Sequence, residues 1–406
     1  MFAVALIGQI GLSPRENDAI AKAYPAEKLT TADQTLLQTP SLDTSLKIAG
    51  SFYDELKLDF ADGLDVSGKY AYVTSVGNDS FTIFDISNPK NPTEVTTIQD
   101  SVYLNSAKGI CVSGNYAYIS AGESSSGVVG FLAIYDISDP ASPYLAGYVD
   151  DTKLAGALHV SVAGKYAYVT SPEDNRFVAV DISNPESPSI AGSIQDDTNL
   201  YKADGLYVSG HYGYVTSHQL TGTAYFNVID ISDPTALSPS DMVSLGRPEF
   251  IGGDQPYITG RYAYVPATSS GPATGSLSVV DISDPSHPSF VSTLSDERIS
   301  GADWVWVTGH YAFVGAFYAH RLTIVDISDP RSLTIASSLY DETNLNNIAQ
   351  VIVSGKYAYA TTLNAKRFVV IDISGFELPP ANTGDLAFSV SKIFHYFFDA
   401  LIPFLL

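Results

Sequence analysis

Four aspartates recur at one place in a repeating frame. Seven tyrosines, Tyr70, Tyr116, Tyr166, Tyr212, Tyr262, Tyr311 and Tyr357, stand at intervals of 46 to 50 residues. Eight positions before them the chain reads Asp62, Lys108, Leu158, Asp204, Asp254, Asp303 and Ala349. If the repeats surround an axis, four carboxylates meet at one opening, where they repel unless Lys108, protons or a cation balance them. An oxygen-rich ring suits a hard cation, so Ca2+ is the cofactor expected of Asp62, Asp204, Asp254 and Asp303. The competing use is local, since an Asp ahead of a strand accepts nearby backbone N–H groups and caps the turn. A second series, Asp54, Asp100, Asp150, Asp196 and Asp341, falls sixteen positions before the tyrosines, and capping is the expected role there.

The remaining chemistry is sparse. His159, His218 and His320 fall in segments that vary between repeats, and with the acidic ring they could compose a mixed His/carboxylate metal site. His211 and His310 replace residues such as Lys69 and Arg261 in a turn and read as solvent-facing substitutions. Trp304 and Tyr318 offer stacking surface for a sugar or peptide, whereas Trp306 reads as core. No G-x-S-x-G, H-E-x-x-H or P-loop spacing is present. These absences point to binding through Lys108, His159, His218, Trp304, Tyr318 and His320 rather than to nucleophilic catalysis.

The elements that must position these residues repeat with them. Each unit runs apolar strand, S-G-x-Y-A-Y-V, variable loop, apolar strand, D-I-S-[ND]-P, then a further strand. Glycine suits the first turn, and Asp and Pro the second. Four short antiparallel strands make a sheet too small to stand alone, so seven of them must bury one another. The fold class is all-β, a seven-bladed β-propeller. The seventh unit ends at residue 375 without its fourth strand, and Lys47-Ile48-Ala49-Gly50-Ser51-Phe52 resembles that missing piece. The N-terminal strand should therefore complete the last blade and close the ring. Both repeated turns then share one face, and the variable loops at 121–130, 172–176, 218–224, 267–276 and 315–320 share the other. A binding site belongs on that second face.

Composition narrows the partners. The 44 acidic and 21 basic side chains give a formal charge of -23, which disfavours nucleic acid and anionic membranes. The single cysteine, Cys111, excludes an internal disulfide and reads as a buried thiol.

The segments Leu322-Thr323-Ile324-Val325-Asp326, Phe226-Asn227-Val228-Ile229-Asp230 and Phe368-Val369-Val370-Ile371-Asp372 resemble the LVIVD repeat. That resemblance implies a propeller at the cell surface or outside the cell, and carries no catalytic residues across. The expected organisation is a leader at 1–45, a propeller at 46–375 and an apolar tail at 376–406. The leader opens on an apolar run without a basic start, although Ala19-Ile20-Ala21 has the form of a cleavage site. In the tail, Leu386, Val390, Ile393, Phe394, Phe397, Phe398 and Leu401 recur at helical spacing. An amphipathic helix that packs on the domain, a partner or a membrane surface is expected there. The function expected is a non-enzymatic extracytoplasmic scaffold for a protein or carbohydrate partner. The alternative is a metal-assisted hydrolase or lactonase.

Overall fold

The computed structural model describes residues 46–123, 127–219, 222–268, 274–376 and 378. The chain divides into two units, 1–44 and 45–406. The leader and the tail helix expected from the sequence lie outside the described residues.

Among the described residues, seven four-stranded antiparallel sheets are formed. We name the strands a to d from the axis outward. Strand a is Ala61–Ser67, Ile110–Ser113, Val160–Ala163, Ala203–Ser209, Tyr257–Thr259, Ala302–Thr308 and Ile348–Ser354 in blades one to seven. These inner strands contact one another around the whole ring, the seventh lying against the first. The remaining regular structure among the described residues is short 3-10 turns.

The blades cannot stand apart because their apolar faces are shared. Each of seven buried clusters mixes side chains of two adjacent blades. Phe81 of blade one meets Tyr135 of blade two edge-on at 5.1 Å, and Phe84 stacks on Phe368 of blade seven at 4.9 Å. Closure follows the expected permutation. Strand Lys47–Tyr53 pairs with Arg367–Asp372 as the outer strand of blade seven, with Phe52 opposite Phe368. Phe52 also reaches Phe84 of blade one at 5.0 Å, so the last-placed strand seals the seam from both sides.

The turns fix which face is which. In every a–b hairpin the glycine, from Gly68 to Gly355, has φ between 57° and 60°. A Cβ there would meet nothing at Gly68, Gly114, Gly164, Gly210, Gly260 and Gly355, so the requirement is conformational. In every c–d turn the D-I-S aspartate, from Asp85 to Asp372, accepts the Ser N–H two residues on at 2.8 or 2.9 Å. The intervening Ile N–H donates to the a–b turn carbonyl, as Ile86 does to Lys69 at 2.8 Å. Both repeated turns are thereby tied together on one face, and these seven aspartates are structural.

The outer aspartate series caps the d–a loops with one correction. Asp54, Asp100, Asp196 and Asp341 each accept two backbone N–H groups two and three residues on. In blade two the cap is Asp151 rather than Asp150, because strand d, Tyr144–Asp151, is one residue longer than its counterparts of seven. Asp296 does the same after Ser289–Asp296.

Candidate functional site at the channel mouth

The residues eight before each tyrosine were expected to end a loop. Asp62, Asp204 and Asp303 instead lie at the second residue of strand a, where the strand bulges. Register slips between Ala61 and Leu64, between Ala203 and Leu206, and between Ala302 and Trp304. A bulge re-aims side chains and leaves backbone groups without ladder partners. A hydroxyl four residues after the repeat tyrosine takes them up. Gly63 N–H donates to Thr74 Oγ1 at 2.9 Å, and that hydroxyl donates to the Lys108 carbonyl of the next blade. Ser120 joins Gly109 to Leu158, with bonds of 3.0 and 2.6 Å. Thr216 joins Gly205 to Asp254 at 3.0 Å each, and Thr361 joins Gln350 to Asp62 at 3.3 and 2.6 Å. The pinned carbonyls belong to ring positions, so blades one, two, four and seven each set the height of the next blade's ring residue.

Blades five and six carry Pro266 and Gly315 where the hydroxyl would be. There Gln255 N–H donates to Asp254 Oδ1 at 2.8 Å, and Gln255 bridges in parallel to Trp304. Asp254 thus performs the local capping considered for the whole ring, while also facing the opening.

The next position along strand a differs from blade to blade. Seven residues before each tyrosine stand Gly63, Gly109, His159, Gly205, Gln255, Trp304 and Gln350. A Cβ at Gly63 or Gly205 would collide with the neighbouring blade's backbone, at Lys108 and Asp254 respectively. The Gln255 and Gln350 side chains bond the Leu206 and Leu64 N–H groups of adjacent blades at 2.9 and 2.7 Å. His159 and Trp304 remain, and their rings meet at 5.6 Å although their blades lie three apart. The imidazole therefore spans the opening. Its Nε2 lies 3.3 Å from Asp204 Oδ1 and 3.8 Å from Asp254 Oδ1. His218 approaches from the variable loop, with Nδ1 at 3.1 Å from Asp204 Oδ2 but not aligned as a hydrogen bond.

Charges at the mouth partition accordingly. Burial pulls the His159 pKa down, but Asp204 and Asp254 outweigh it and raise it to about 10. His218 is lifted to about 9 by Asp204 against its own burial. Asp204 would be raised by burial, yet the two imidazoles hold it well below the carboxylate range. Asp62 and Asp303 go the other way. Burial raises both; His159 and Lys108 only partly offset this at Asp62, and Asp254 adds to it at Asp303. Burial lowers Lys108 despite nearby Asp62 and Asp204.

Of the residues singled out from the sequence, Asp62, Lys108, His159, Asp204, His218, Asp254, Asp303 and Trp304 come together. Tyr318 and His320 do not join them. Tyr318 is exposed and its ring covers Gly301. His320 Nδ1 accepts the Asn347 N–H at 3.1 Å, which fastens blade six to blade seven. Trp306, read as core, is partly buried and packs on Tyr257 at 5.2 Å. Cys111 is partly buried, and burial pushes its thiol up to about 12.

A cleft of about 790 Å3 opens beside the mouth between blades three and four. Lys108, Leu158, Asp204 and His218 form its inner end, and Pro172, Glu173, Asp197, Thr198, Tyr201, Lys202 and Gln219 its outer walls. Lys202 Nζ is paired with Glu173 at 2.7 Å, and Tyr201 is 43% exposed, offering aromatic surface for contact.

A closed seven-bladed β-propeller, with ionisable side chains gathered over one end of its channel, is the class these features define. The chain belongs to the LVIVD-repeat family, whose repeat matches residues 60–100, 105–151, 156–196, 202–243, 257–296, 301–341 and 347–375. No curated protein matches it. Among solved structures it is similar to Kuenenia stuttgartiensis hydrazine synthase, with 15% identity, a TM-score of 0.60, and 79% of this chain and 97% of that one covered. It is similar to Staphylococcus aureus virginiamycin B lyase at 8% identity and a TM-score of 0.58, covering 81% and 99%. A putative 6-phosphogluconolactonase from Bacteroides fragilis follows at 11% and 0.56, covering 79% and 93%. At such identities the likeness is one of fold.

Proposed function

We propose that the chain is a non-catalytic binding scaffold acting outside the cytoplasm, which takes a carbohydrate or protein partner on its variable-loop face. The cleft between blades three and four carries this reading. It lies on a rigid ring, draws its walls from several loops, and is large enough for a ligand of a few sugar or amino-acid units. Its mixture of an exposed tyrosine ring, a paired Lys202–Glu173 and the polar side chains of Thr198 and Gln219 favours a neutral, polyhydroxylated ligand over a polyanion. The family resemblance supports a location outside the cytoplasm.

The test is a glycan array probed with the full chain, followed by titration of any hit. Tyr201→Ala and Gln219→Ala should weaken a genuine ligand at least tenfold. A hit that is unaffected by both, or is lost on changing Lys69 and Arg261 of the opposite face, refutes the assignment. A peptide hit with the same dependence selects the protein partner instead.

A metal-assisted hydrolase or lactonase is the second reading, favoured by the contact of His159 with two carboxylates. Turnover in a panel of esters, lactones and phosphoesters with added divalent ions, lost in Asp204→Asn, would replace the first reading.

A further inference from the structure

We propose that His159, Asp204 and Asp254 bind one divalent transition ion, of the zinc or manganese kind, across the channel mouth. The three residues belong to three consecutive blades, so closure of the ring brings them together rather than any local motif. One donor atom from each lies within 4.8 Å of the other two. An ion held about 2.1 Å from nitrogen and oxygen ligands in tetrahedral geometry needs donors roughly 3.4 Å apart. The separations of 3.3 and 3.8 Å from His159 Nε2 are already close to that.

The backbone that carries two of the ligands is also held in place, as is one carboxylate. Thr170 Oγ1 accepts the His159 N–H at 3.2 Å, and Thr216 holds the Asp254 carbonyl at 3.0 Å. Asp254 Oδ1 accepts the Gln255 N–H at 2.8 Å. The Asp204 oxygen turned away from His159 lies 3.1 Å from His218 Nδ1, an ion-pair neighbour outside the three ligands. Beside the cluster, the Trp304 indole N–H is buried without an acceptor. An ion that carries an oxygen ligand into the mouth would supply one.

The donor set decides the kind of ion. Calcium takes six to eight oxygen ligands, as the four aspartates alone suggested. With its imidazole against both Asp204 and Asp254, His159 brings nitrogen into any shell that uses them. Imidazole with carboxylates suits zinc or manganese. Three protein ligands leave a fourth position for a water or other small ligand.

The experiment uses the full chain, stripped with chelator and titrated calorimetrically with zinc, manganese(II) or calcium chloride alone. One equivalent of zinc or manganese should bind, with calcium at least a hundredfold weaker. His159→Gln and Asp254→Asn should each weaken binding at least a hundredfold, and His218→Ala by about 10–100-fold as an outer neighbour. Cobalt(II) added to the unaltered chain should give the visible bands of a low-coordinate site with nitrogen ligation, a readout that requires no variant to fold. The proposal is overturned if no ion binds stoichiometrically, if calcium is preferred, if zinc binding survives both variants, or if cobalt shows only its hydrated spectrum. His159 would then be an internal counter-charge. The site stands independently of what the cleft binds, and glycan titration of chelated protein separates the two failures.

Discussion

Replacing Thr216 by Val tests whether hydroxyls hold the blades in register. The two side chains have nearly the same shape, so the change removes two hydrogen bonds and little else. Thr216 is fully buried, accepts the Gly205 N–H and donates to the Asp254 carbonyl, both at 3.0 Å. Both backbone groups would be left unpaired in a site that the bulge has already removed from the ladder. Each such group costs about 1–3 kcal/mol. A methyl in place of the hydroxyl returns roughly 1 kcal/mol of apolar burial. The expected net loss is about 1–5 kcal/mol. Thr216→Ser keeps both bonds and forfeits one methyl, or about 1 kcal/mol. Urea unfolding followed by the fluorescence of Trp304 and Trp306, both on the inner strand of blade six, provides the assay. If the Val variant unfolds at the same urea concentration as the parent, or if Ser is the more damaging change, the hydroxyls do not hold the seams.

Three further outcomes follow from the same geometry. Gly63→Ala places a methyl against the Lys108 carbonyl of the next blade and should destabilise by about 3 kcal/mol or more, read as a lowered urea midpoint. Deleting Lys47–Tyr53 leaves Arg367–Asp372 as an open edge and uncovers Phe84 and Phe368, so light scattering should show concentration-dependent association in place of a monodisperse ring. The pH dependence of chelator-treated protein should reveal His159. Its folded pKa of about 10 lies above the unfolded value near 6.5, so its contribution is complete below about pH 6.5 and lost as the pH climbs toward 10. Melting temperatures from pH 6 to 10 should therefore fall more steeply for the parent than for His159→Gln, and parallel curves would contradict the pairing with Asp204.

The blade count, turn chemistry and closing strand were legible because they depend on patterns that repeat. Each D-I-S aspartate bonds its own serine two residues away, and such contacts recur wherever the spacing recurs. The meeting of Asp62, Asp204, Asp254 and Asp303 was legible for the same reason. What the ring does with its charge was not. His159 differs from its equivalents in every other blade, and its partners lie about 45 and 95 residues away, within reach only because successive blades turn about the axis. The bulge was also hidden, although the Thr or Ser four residues after five of the tyrosines was its visible trace. His320 illustrates the converse. It sits on the expected face, yet its imidazole is committed to the Asn347 N–H, a contact that periodicity cannot reveal.

The pairing of Lys47 with Asp372 has a consequence for how the molecule is made. During synthesis the first ribbon leaves the ribosome more than three hundred residues ahead of the strand it must join, and waits with its hydrogen-bonding groups turned to water. Six blades can assemble behind it, but the circle stays incomplete until translation of the last one is finished. A permutant that carries this ribbon after residue 375 would meet its mate within a few residues. Such a chain should refold faster than the natural order while reaching the same end state.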